Sequence, residues 1–89
     1  PFGPLHSRRI AVVSGAGSDC IGEAIDKHLD CIVTGESNHT DHHRAREGEL
    51  NVIYCGHYHS EQGGVKALGR HLESQRDVET EFLDIPTLV

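Results

Sequence analysis

The sequence has no methionine, no tryptophan, and only two phenylalanines and two tyrosines among 89 residues. Any core must therefore be built from Val, Ile, Leu and Ala. At this length one small domain is expected, removing only roughly 60–65% of its unfolded surface from water. Basic residues are scarce too: 8 Lys and Arg stand against 14 Asp and Glu, for a net charge of −6. With no basic cluster, nucleic acid is not expected as a partner, because phosphate neutralisation cannot drive binding. No apolar run approaches the ~20 residues that span a bilayer, so no membrane partner is expected. The opening PFGP carries no initiator Met and no positive stretch leading into an apolar one, so no signal peptide is expected. We read the chain as a piece of a longer protein, and its location as cytoplasmic. CxxC pairs are absent. The three cysteines, Cys20, Cys31 and Cys55, are widely spaced, which suits reduced thiols. Cys31 and Cys55 lie in apolar runs and are expected to be buried and inert.

Histidine, by contrast, is abundant. Eight are present, enough for their protonation to reverse the sign of the net charge. The β-branched run 8–15 (RRIAVVSG) predicts a buried strand, and 18–29 an amphipathic helix with Cys20, Ile21, Ala24, Ile25 and Leu29 on one face. CIVTG (31–35) predicts a second strand and ELNVIYCG (49–56) a third. Between them, 37–48 is polar apart from Ala45, and reads as an exposed helix or a loop. A third helix is expected over 60–74, with Val65, Leu68 and Leu72 aligned. VETEFLDI (78–85) alternates, which predicts a half-exposed strand at a sheet edge. The fold class is therefore α/β: a small βαβαβαβ domain with a mainly parallel sheet flanked by helices. Residues 1–7 form an N-terminal extension, 8–86 the domain and 87–89 a tail.

Ligands of such sheets bind beyond the carboxyl ends of the strands. Three turns lie there: SGAGSD, TGESNH and CGHYHSE. In the first, Gly15 and Gly17 could admit a phosphate, with Glu36 about 20 residues on, but the dinucleotide fingerprint lacks its third glycine. A tight turn that only glycine tolerates is the simpler reading. In the third, His57 and Glu61 are four residues apart. If that stretch is helical they converge on one point, as ligands for Zn, Fe, Mn or Ni or as a helix start with a well-placed acid. His59 points elsewhere on this spacing. The polar segment holds His39, Asp41, His42 and His43. His39 and His43 would share a helix face, yet a solvated surface explains them as well. Cys55 lies near His57, but a strand would turn it away, so a cysteine nucleophile is not expected.

SGAGSDCIGEAI, IVTGE, HHRARE, GHYHSEQGGVKALGRHLE and FLDIP resemble, in this order and spacing, segments of the Nif-three-like family. Its members are also called dinuclear metal-centre hexameric proteins or GTP cyclohydrolase type-one homologues. The resemblance covers about residues 8 to 86 and implies the second of two similar α/β halves. It further implies a hexameric homo-oligomer with two divalent transition metal ions in the cleft between the halves. On that resemblance His57 and Glu61 are metal ligands, completed by ligands outside this chain, from the missing N-terminal half. Glu36, in the Thr-Gly-Glu turn, and His43, similar to the family's pocket histidine, are the candidate catalytic residues. His59 departs from the family pattern, where a small residue is usual. The implied activity is metal-dependent hydrolysis of a small nucleotide-like substrate, of GTP cyclohydrolase type, with the isolated chain inactive. A non-enzymatic metal-binding assembly module is the alternative.

Overall fold

The computed structural model describes all 89 residues. Strands and helices alternate: β1 (Ile10–Ala16), α1 (Ser18–Asp26), β2 (Cys31–Glu36), α2 (His39–Glu47), β3 (Asn51–Tyr54) and α3 (His57–Gln75). The strands form one parallel sheet in the order β1-β2-β3. The expected α/β class and parallel sheet are therefore present, with three strands rather than four.

The core lies on one face of the sheet. Ile21 and Ala24 of α1, Ile32 of β2, Ala45 of α2 and Leu50 form a fully buried cluster, flanked by Phe2, Ala11, Val13 and Val52. The polar segment becomes helical because its one apolar residue, Ala45, reaches this cluster. Asp41, 1% exposed, fastens its start by accepting hydrogen bonds from the Asn38 N–H at 2.8 Å and from the Ser18 hydroxyl. That contact also ties the beginning of α2 to the beginning of α1. Both helices end in left-handed residues, His28 and Glu49 (φ 54° and 53°). There the amides of Leu29 and Leu50 return to the Ala24 and Ala45 carbonyls, in the manner of a helix-terminating turn.

Most of the opposite face is uncovered, Cys31 being the buried exception. Ile10, Val12 and Ile53 are more than half exposed there, and Val65, Leu68 and Leu72 of α3 are exposed as well. Parallel sheets are ordinarily covered on both faces. The α3 helix contacts the ends of β1 and β2 and then runs on past them. At 19 residues it is about 28 Å long, and the molecule reaches 52 Å.

Two expectations are corrected. The predicted strand over 78–85 does not form, and residues 76–89 carry no regular structure. Instead the segment folds back along α3. The Thr80 N–H and hydroxyl donate to Glu73, each at 2.8 Å, Lys66 Nζ stands 4.5 Å from the Phe82 ring centre, and the Tyr58 hydroxyl donates to Asp84 at 2.6 Å. Alternation signals an extended segment with two unlike faces, but not an available strand edge. Cys55 is exposed rather than buried. It follows the last residue of a four-residue edge strand, and its thiol donates to the Thr34 carbonyl at 3.2 Å. Cys31 is buried as expected, and burial pushes its thiol above the ordinary pKa. The N-terminal extension 1–7 is tied to β3: the Gly3 N–H donates to the Asn51 side chain, which donates in turn to the Pro4 carbonyl, both at 2.8 Å.

Candidate metal centre

The site assembles where β1 and β2 end and α3 begins. The helix starts at His57, three residues before the expected position 60. The β3–α3 turn hangs from β2, with the Cys55 and Gly56 amides donating to the Thr34 and Gly35 carbonyls at 2.9 Å. Ser60 then locks the first turn. Its hydroxyl accepts from the Gly15 N–H at 2.8 Å and donates to the His57 carbonyl at 2.9 Å. With that turn helical, positions four apart share a face. His57 Nε2 and Glu61 Oε2 stand 3.2 Å apart.

The other ring nitrogen is engaged as well. His57 Nδ1 lies 2.5 Å from Oε1 of Glu36, at the end of β2. Glu36 is held in place by its pairing with Ala16 and by the Gly17 N–H, which donates to its carbonyl at 3.3 Å. The imidazole thus sits between two carboxylates. The hydrogen bond to Glu36, more than the charge of Glu61, raises the His57 pKa above its ordinary 6.5. The proton bound there stabilises the folded state fully below the unfolded-state pKa, and this contribution is lost as pH rises through the raised folded-state value. An NMR titration of the metal-free protein is expected to give His57 a midpoint above 6.5. A midpoint at or below the ordinary value would contradict the carboxylate pair.

Two glycines make room for this constellation. Gly15 has φ +68°, and a Cβ there would overlap the Glu61 carboxylate and lie 3.2 Å from His57 Nε2. A Cβ on Gly35 would come within 2.5 Å of the Gly15 carbonyl oxygen, 2.6 Å of Ser60 Oγ and 2.8 Å of His57 Cα. The broken dinucleotide fingerprint at Gly15 therefore faces His57 and Glu61, and its glycine admits side chains.

Of the residues singled out in the sequence, the fold brings together Glu36, His57 and Glu61. His43 is exposed on α2, where its ring meets those of His39 and His42 edge-on at 5.9 and 5.5 Å. It makes no hydrogen bond or ion pair with the other three. His59 is exposed and edge-on to Tyr58. Ser60 was not singled out, and Gly35 and the buried Thr34, whose hydroxyl donates to the Gly15 carbonyl at 3.2 Å, entered only as part of the Thr-Gly-Glu turn. Ser60 carries no sequence signal of its own.

His57 and Glu61 suit a divalent ion. Donors each about 2.1 Å from one ion stand roughly 3.0–3.4 Å apart for octahedral to tetrahedral angles, and the observed 3.2 Å falls within that range. No group of three or more His, Cys, Asp or Glu side chains in the chain is arranged to hold an ion.

The family profile Duf34/NIF3 (NGG1p interacting factor 3) matches residues 3–87. A protein of Archaeoglobus fulgidus named GTP cyclohydrolase 1 type 2 homolog is 44% identical over 87 residues, which is 98% of this chain and 36% of that protein. The structure of TTHA1606 from Thermus thermophilus superposes with a TM-score of 0.86 at 42% identity, covering 99% of this chain and 35% of that one. Protein ybgI, described as of unknown function, superposes with a TM-score of 0.93 at 34% identity, covering 99% and 36%. The chain thus spans about a third of the length of the relatives it matches. Motif order, parallel α/β fold and profile agree, and the chain belongs to the Duf34/NIF3 (NGG1p interacting factor 3) family.

Proposed function

We propose that this chain supplies one side of a dinuclear metal centre in a metal-dependent hydrolase acting on a small nucleotide-like substrate. The observation that carries this reading is the pairing of His57 Nε2 with Glu61 Oε2 at 3.2 Å, with Nδ1 already committed to Glu36. Both donors face the open end of the sheet, where ligands of parallel α/β folds bind. His57 and Glu61 would hold the ions, of Zn, Fe, Mn or Ni type. The remaining ligands would come from the rest of the polypeptide, which would also cover the uncovered sheet face. When bound, two such ions polarise a substrate oxygen and lower the pKa of water. His43, exposed and without a side-chain hydrogen bond, would contact substrate or carry a proton, the role the family resemblance assigns it. The names of the relatives favour GTP as the substrate to test first, and the family resemblance favours a hexamer.

The test is elemental analysis of the purified full-length protein, followed by a turnover assay on GTP and a panel of nucleotides with added metal. About two ions per chain and metal-dependent turnover are expected. Metal bound without turnover of any nucleotide would favour an assembly module in its place. Absence of metal under all loading conditions would remove both readings.

A further inference from the structure

We infer that Glu36 is a positioning residue: it holds the proton of His57 on Nδ1, so that the Nε2 lone pair faces the metal side of the site beside Glu61. The inference rests on the metal-centre reading above and replaces the expectation that Glu36 acts directly on substrate.

A neutral imidazole has one N–H and one lone pair, and the partner of one nitrogen decides the role of the other. Glu36 Oε1 at 2.5 Å from Nδ1 is a pure acceptor when ionised. Glu61 Oε2 competes for the proton at Nε2, but at 3.2 Å against 2.5 Å, so the shorter contact favours the Nδ1–H form. Carboxylates behind metal-binding histidines act in this way, fixing tautomer and ring orientation. The placement of Glu36 supports this role over a catalytic one. Its backbone is pinned by the Ala16 pairing and the Gly17 amide, and its carboxylate is spent on the ring. Without this contact only the longer Glu61 pairing at 3.2 Å would orient the ring, since Gly15 and Gly35 bring no side chain to it. Glu36 thus makes the shorter of the two carboxylate contacts that aim the ring, and does so across 21 residues of sequence.

The full-length protein, labelled with 15N-histidine and stripped of metal, distinguishes the alternatives at a pH above the His57 titration. Imidazole 15N shifts are expected to show His57 as the Nδ1–H tautomer. Glu36→Gln should retain it, since the amide oxygen still accepts from Nδ1–H. Glu36→Ala should move it towards the Nε2–H form. Calorimetric titration with Zn is expected to show affinity lower by about 10–100-fold in Glu36→Ala, and a smaller loss in Glu36→Gln. An Nε2–H tautomer in the unsubstituted protein overturns the inference, even if Glu36→Ala fails to fold. So does an unchanged tautomer, or unchanged Zn affinity, in a folded Glu36→Ala protein. Failure of every version to bind metal would remove the metal-centre reading while the tautomer measurement still decided what Glu36 does to His57.

Discussion

Replacing Glu61 with alanine in the full-length protein is expected to lower metal affinity by more than about 100-fold, beyond what loss of a merely supporting group produces. Turnover, where it depends on metal, should fall with it. The fold should hardly notice. The Glu61 side chain is 53% exposed, and substitutions at such positions usually shift stability by no more than about 0.5 kcal/mol. The functional and structural effects are thus separable. Metal content by elemental analysis should drop, while the thermal unfolding midpoints of the metal-free variant and metal-free parent stay within a few degrees of each other. Full metal content in Glu61→Ala would show that His57 has some other companion.

The reverse pattern is expected at Gly35. Alanine there would bring a methyl group to within 2.8 Å of His57 Cα and 2.5 Å of the Gly15 carbonyl. Both neighbours are backbone, so the end of β1 or the start of α3 must move. Overpacking of this kind costs about 1–3 kcal/mol. That is a large share of the total for a domain whose fully buried apolar cluster has five residues. Because the displaced backbone carries His57, metal should be lost together with stability. Gly63 supplies the control. It lies within α3, yet nothing approaches its position within 4 Å, so Gly63→Ala should stabilise the helix by about 0.5–1 kcal/mol. Thermal unfolding of the two variants side by side checks the contrast. Equal behaviour would mean that the turn accommodates a side chain after all.

The difference between these variants marks what could be read without the fold. His57 and Glu61 were legible as a pair because four residues of helix bring them together whatever the rest of the chain does. The pattern left open only where α3 begins, and Ser60 settles that by bonding the Gly15 amide. The Glu36–His57 contact was not legible, because it joins residues 21 apart through the register of β1 with β2 and the path of a turn. Nor was the fate of 78–85. Its alternation predicted an edge strand, but both sheet edges stayed unpaired and the segment bonded to Glu73 and Tyr58 on α3 instead. Cys55 failed similarly: an apolar run implied burial, but β3 is an edge strand and Cys55 is exposed at its end.

By itself the sequence determined what depends on short-range periodicity. That comprises the alternation of strands and helices, a glycine within two residues of each strand's end, and the His57–Glu61 spacing. Tertiary structure alone decided which carboxylate binds the His57 ring, which glycines must lack a side chain, and which sheet face stays mostly uncovered. Those features depend on contacts between segments distant in the chain. Their geometry follows from strand register and packing, which local pattern does not encode.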